Sequence, residues 1–183
     1  MEILDRKLES ERLILRKITQ ADANDMYEYS SKPDVSKYLS WNPHSDISQA
    51  RDYIDSVIEE YSADKSYCWA IELREIIKFI GIVRIFDVSL SNKRGEISYI
   101  LNPEFQGKGL MIEAIATVID FCFNKLKFNR IQARCTKDNL SSERIMQKLG
   151  MKYEGTLKDY WINKGVTADA KLYAVTAKNF FKD

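Results

Sequence analysis

Three segments that read as β-strands follow one another with little between them: YCWAIEL from Tyr67, KFIGIVRIF from Lys78 and GEISYIL from Gly95. Each is rich in β-branched and aromatic residues, and the polar stretches that join them, such as SLSNKR, have hairpin length. Such a run predicts an antiparallel meander onto which everything else is built. Upstream, RLILRKI over 12–18 alternates apolar and polar positions and predicts a first strand, followed by a polar helix starting near Thr19 or Gln20. Residues 45–61 place Ile47, Tyr53, Ile54, Val57, Ile58 and Tyr61 at helical spacing, so that face should be buried. Downstream come a long helix over 107–127, a strand over 130–135, a helix over 139–149, and strands over 151–162 and 170–176. The order predicts an α/β (α+β) fold, with a mixed, mostly antiparallel sheet of about seven strands flanked by about four helices.

The chain of 183 residues has no repeat, low-complexity tract or linker to divide it, so one domain spanning 1–183 is expected. With 28 basic against 27 acidic residues, no global field attracts nucleic acid or an anionic membrane, and neither is expected as a partner. The first residues are too charged for a signal peptide, and Glu113 and Asp120 interrupt the most apolar stretch, which together predict a soluble, cytoplasmic protein. Cys68, Cys122 and Cys135 are odd in number and far apart, the pattern of free thiols in a reducing compartment. The sole histidine, His44, has no cysteine near it in sequence, and no metal is expected.

Two of the seven glycines, Gly107 and Gly109, stand together just where a strand ends and the longest helix begins. The first turn of a helix leaves backbone N–H groups unpaired and carries partial positive charge, which suits an anion. Glycine there lets the backbone approach phosphate oxygens with no Cβ in the way. The buried face of this helix should carry Ile112, Ile115, Ala116, Ile119, Phe123 and Leu126. Two common phosphate loops do not fit: a dinucleotide fingerprint needs a third glycine where Ile112 stands, and a Walker loop needs Ser or Thr where Gly109 follows Lys108.

The stretch EISYILNPEFQGKGLMIEA resembles the acetyl-CoA signature of the GNAT N-acetyltransferase superfamily, with Gln106, Gly107, Lys108, Gly109, Leu110 and Met111 filling its Gln/Arg-x-x-Gly-x-Gly/Ala motif. Met111 departs from the usual small last residue. Downstream, NLSSERIMQKLGM resembles the family's second motif through Asn139, Ser142, Lys148, Leu149, Gly150 and Met151. Further matches at both ends extend the likeness over nearly the whole chain, in the style of the ribosomal-protein N-terminal acetyltransferase (RimJ/RimL-like) branch. The resemblance implies a sheet splayed between two central strands. The pantetheine arm of acetyl-CoA would lie in that gap, with the pyrophosphate on the Gly107 loop and the Ile100–Leu101 backbone donating to the oxyanion. It also implies Glu96 as a general base and, because the position of the family's usual acidic tyrosine is Met146, Ser142 as the group that assists the departing thiolate. Asn139 should cap its helix and touch the cofactor.

The acceptor is expected to be a primary amine, either a protein N-terminal α-amine or a small polyamine-like or aminoglycoside-like molecule. Trp41, Trp69, Tyr99 and Tyr160 are the aromatic residues expected to line its cleft, Trp41 first because it sits in the loop framed by Pro33 and Pro43. Cys135 could suggest an acyl-cysteine step, but the resemblance implies direct transfer. A monomer or a homodimer is expected. A catalytically silent acyl-CoA sensor is the alternative, since it would keep the phosphate loop and lose turnover.

Overall fold

The computed structural model describes residues 7–61 and 66–181, with the meander at its centre. β1 (Leu8–Glu9), β2 (Leu13–Arg16), β3 (Tyr67–Leu73), β4 (Lys78–Ser89) and β5 (Arg94–Leu101) lie side by side in chain order. Beyond β5 come β6 (Arg130–Thr136), then β8 (Val166–Thr176), with β7 (Lys152–Asn163) outermost, so the open sheet has eight strands among the described residues. Among the described residues six α-helices accompany it: α1 (Ala23–Ser30), α2 (Pro33–Ser36), α3 (Ile47–Glu60), α4 (Leu110–Asn124), α5 (Leu140–Lys148) and α6 (Ala177–Phe180). The additions to the expected count are β1, of two residues, and α2 and α6, of four each, too short to carry a periodic signal.

Both faces of the meander are covered, and β3 shows how the sequence encodes this. Tyr67, Trp69 and Ile71 join the core under α4, while the alternate residues Cys68 and Ala70 join a second core under α1 and α3. A strand buried on both faces reads as a continuous apolar run rather than an alternation. On α3, Asp46 is the N-cap, its carboxylate accepting the Ser48 N–H at 2.8 Å. The buried side of that helix is Ala50, Ile54 and Val57, whereas Ile58, expected inside, is 38% exposed. Tyr61 is half-buried and ties elements together: its hydroxyl accepts from the Ile18 N–H and donates to the Cys68 carbonyl.

The expected face of α4 also needs correction. Leu110, Ala114, Ile115, Val118, Ile119 and Cys122 are the residues driven into the sheet, while Ile112 and Ala116 are only partly covered. With nine buried residues out of fifteen, the helix is apolar around much of its circumference, and so spacing alone did not locate its inner face.

All neighbouring strands pair antiparallel except β5 and β6. That parallel pairing is brief: Arg94↔Arg130, Gly95↔Ile131 and Glu96↔Gln132 are matched, and there it stops. Past this point β5 continues to Leu101 held only by β4, and β6 continues to Thr136 held only by β8. The two strands diverge as a V, and alternate backbone groups on the freed edge of β5 have no strand to pair with.

Candidate active site

The mouth of the V is a cavity of about 440 Å³, walled by Tyr99, Ile100 and Leu101 of β5 on one side and by Asn139, Ser141, Ser142, Arg144, Ile145 and Lys148 of α5 and its cap on the other. Gln106, Gly107, Gly109, Leu110, Met111 and Ile112 form its end, and Asp34, Val35, Tyr38 and Leu39 roof it. Three bonds seat the roof: Lys32 on Glu104 at 2.8 Å, the Tyr38 hydroxyl on the Asp138 carbonyl at 3.2 Å, and Lys164 on the Ser36 carbonyl at 2.9 Å. These reach the β5–α4 turn, the β6–α5 turn and the β7–β8 hairpin, so the roof is anchored on both sides of the splay.

The glycine turn meets a conformational demand. Gly107 and Gly109 have φ of +76° and +78°, a left-handed backbone that side chains disfavour, and Gly109 is the N-cap of α4. A Cβ at Gly107 would meet nothing within 4 Å, so open space lies beside this backbone. The Glu113 N–H donates to the Gly109 carbonyl at 3.1 Å, and the N–H groups ahead of it in the first turn lack an intrahelical acceptor. The turn therefore fits a pyrophosphate, which needs convergent N–H donors and close backbone approach. Gln106 is held by its side-chain amide on the Leu101 carbonyl at 3.2 Å. Lys108 alone in the Gln106–Met111 run does not line the cavity; its ammonium packs over the Phe105 ring at 5.2 Å.

On the opposite wall Asn139 caps α5, its Oδ1 accepting from the Ser142 N–H at 3.1 Å and from the Ser141 hydroxyl at 2.9 Å. With that oxygen engaged, the amide N–H₂ is the part left for a ligand. Ser142 is one turn in, and its hydroxyl lies 2.8 Å from that of Tyr99 across the splay. The Ser142 carbonyl, 3.2 Å from the Tyr99 hydroxyl, is the competing acceptor for its single proton. Burial pushes the Tyr99 phenol well above its ordinary value, the bond to Ser142 offsetting only part of that, so it stays protonated at neutral pH. Met146 is fully buried in the core.

Glu96 lies at the vertex, not in the cavity. It is 3% exposed, accepts from Arg134 Nε at 2.6 Å and from the Gln132 amide at 3.0 Å, and pairs with Arg134 Nη2 at 2.5 Å. This geometry argues against the general-base role expected of it, since the carboxylate is already bound on both oxygens. Of the four aromatic residues expected at the acceptor, only Tyr99 lines the cavity. Trp69 is fully buried between Tyr67 and Phe121, where the apolar run of β3 put it. Trp41 packs on His44 at 5.0 Å, and His44 in turn bonds Ser30, with burial lowering its pKa. Tyr160 is 43% exposed and stacks over the Arg134 guanidinium at 4.6 Å.

Sequence reasoning missed Asp34, Val35, Tyr38 and Leu39, although it pointed to their proline-framed loop; Pro33 at the first position of α2 was the available signal. Asp34 is exposed and is the one carboxylate among the residues lining the cavity. All three cysteines are free and buried, and burial pushes the Cys135 thiol up to about 11, a poor thiolate at neutral pH. Among the described residues no cluster of metal-ligating side chains occurs, and no helix is long and apolar enough to cross a membrane.

A strand pair that opens beside a glycine turn at a helix N-terminus is the arrangement that the resemblance to GNAT acetyltransferases implies, and sequence comparison agrees. The model of the acetyltransferase (GNAT) domain matches residues 12–152. An uncharacterized N-acetyltransferase, p20, of Bacillus licheniformis is 33% identical over 173 residues, covering 94% of this chain and 97% of the relative. Spermidine N(1)-acetyltransferase of Escherichia coli K12 is 25% identical over 154 residues, 81% of this chain and 78% of the relative. A solved structure of RimL, a ribosomal L7/L12 α-N-protein acetyltransferase in complex with coenzyme A, shares the fold with a TM-score of 0.83 at 19% identity, covering 93% and 98% of the two chains. The protein belongs to the GNAT acetyltransferase family.

Proposed function

We propose that this acetyltransferase carries the acetyl group of acetyl-CoA to a primary amine, either the α-amine of a protein N-terminus or a small amine. The observation that carries the reading is the left-handed Gly107–Gly109 turn opening into the V between β5 and β6. The N–H groups of the turn hold the pyrophosphate, aided by the positive end of α4. Ile100 and Leu101 lie on the freed edge of β5, where a backbone N–H can stabilise charge developing on the thioester oxygen. Asn139 contributes its amide N–H₂ to the opposite wall.

Ser142 assists the departing thiolate. For its proton to point into the cavity its oxygen must accept from Tyr99, whose single proton then goes to Ser142 Oγ at 2.8 Å and not to the Ser142 carbonyl at 3.2 Å. The acceptor amine arrives under the α2 roof, where Asp34 attracts it as an ammonium ion whose proton passes to solvent before attack. An α-amine, with a pKa near 8, and a longer alkyl amine, near 10.4, both need that proton removed before attack. Both kinds of amine appear in the names of proteins it is similar to, a spermidine N(1)-acetyltransferase and a ribosomal L7/L12 α-N-protein acetyltransferase.

The test is a CoA-release assay with acetyl-CoA and a panel of peptide N-termini, polyamines, aminoglycosides and amino acids. Release dependent on one amine class supports the reading. Saturable acetyl-CoA binding with no release across the panel supports a silent acyl-CoA sensor instead.

A further inference from the structure

The glycine turn does not stand alone. Arg12, the residue before β2, reaches over from the sheet edge and holds it. Its Nη1 donates to the Lys108 carbonyl at 2.9 Å, and its Nε donates to Glu113 Oε2 at 2.7 Å. Its backbone N–H donates to Glu113 Oε1 at 2.8 Å, and Ser10 Oγ donates to the same oxygen at 2.7 Å. Nη2 completes the ion pair to Glu113 Oε2 at 2.7 Å and would stand 3.5 Å from a Cβ at Gly109. One arginine thus joins the turn, the first residues of α4 and the β1–β2 hairpin.

Two consequences follow from charge and geometry. Glu113 is an anion in the first turn of α4, close to where a pyrophosphate would sit, and uncompensated it would repel that ligand. The Arg12 fork pairs with it, the carboxylate being 18% exposed and the guanidinium 43%, so solvent screens the pair in part. Secondly, the carbonyl of Lys108 lies between two left-handed glycines, a segment that would otherwise sample many conformations. Bound to Arg12, it is turned onto a cation and away from the anion site, which leaves the N–H side of the turn presented to the ligand.

We infer that Arg12 is a positioning residue for acetyl-CoA: by fixing the Lys108 carbonyl and neutralising Glu113, it presets the pyrophosphate turn and sets donor affinity without touching the chemistry. The inference rests on the reading of this turn as the pyrophosphate site. A lysine would keep the charge but lose the planar fork that serves two partners at once.

The experiment is calorimetric titration of CoA into wild type, Arg12→Gln, Arg12→Lys and Gly109→Asp, with a thermal melt of each and steady-state kinetics. Arg12→Gln should raise the CoA Kd and the KM for acetyl-CoA about tenfold or more, with kcat at saturating acetyl-CoA within about twofold of wild type. Arg12→Lys should recover only part of the loss. A purely structural role would lower the melting temperature and leave Kd unchanged in the folded protein. Wild-type Kd in folded Arg12→Gln, with Gly109→Asp unable to bind, would overturn the inference and leave the pyrophosphate site standing. Wild-type Kd in Gly109→Asp would remove both. Should Arg12→Gln not fold, wild-type Kd in Arg12→Lys overturns the inference in the same way.

Discussion

Arg134 of β6, two residues past the last β5–β6 pair of Glu96 with Gln132, grips both carboxylate oxygens of Glu96. The pair is the pin of the V: it holds the strands together where they meet and so sets where they part. Tyr160 covers the outer face of the guanidinium.

Removing one member of such a buried pair leaves the other charge uncompensated, at a cost of about 3 kcal/mol. Glu96→Gln should therefore lower the melting temperature by about 10 °C. The acid limb of kcat/KM should stay where wild type has it, because the carboxylate does not line the cavity. A pH–rate profile in which that limb shifts in Glu96→Gln would return Glu96 to the mechanism as a base.

Tyr99 and Ser142 should act as one unit. Ser142→Ala and Tyr99→Phe are each expected to lower kcat by about ten- to a hundredfold at saturating substrates, and the double variant should be no slower than Ser142→Ala alone. The loss is bounded because a thiolate with an ordinary pKa near 8.5 already leaves tolerably. Losses that simply multiply in the double variant would show that the two hydroxyls contribute separately.

Asp34 should govern the acceptor and not the donor. Its exposed charge contributes on the order of 1 kcal/mol to attraction of an ammonium ion, so Asp34→Asn should raise KM for the amine by about three- to tenfold. KM for acetyl-CoA should be unchanged. Steady-state kinetics with both substrates varied separates the two, and an unaltered amine KM would take Asp34 out of the acceptor site.

What the sequence made legible follows from the range of the interactions involved. The meander and the two glycines are local statements, one a run of β-branched and aromatic residues, the other a left-handed turn, and both stand where the residues place them. The capping role of Asn139 is equally local. Trp69 and Glu96 stand away from the cavity because what places them, the face of the strand and the partner across it, belongs to the sheet. Arg134, 38 positions from Glu96, is invisible to any window of sequence. The same holds for Asp34 and Tyr38, which reach the cavity only because α2 is tied down at Glu104, Asp138 and Lys164. Arg12 lies 96 residues from the carbonyl it holds, and nothing in its own surroundings marks it.

The central claim is that the Gly107–Gly109 turn holds the pyrophosphate of acetyl-CoA, and one titration tests it most directly. An aspartate at 109 is among the side chains that tolerate a left-handed backbone, and it would sit beside Arg12, so the fold should survive. The new carboxylate would add a negative charge at the N-terminus of α4 and compete with Glu113 for Arg12, so the turn would no longer favour a pyrophosphate. Calorimetry at matched temperature should show saturable acetyl-CoA binding by wild type and none by folded Gly109→Asp; binding of wild-type affinity in the variant would contradict the account.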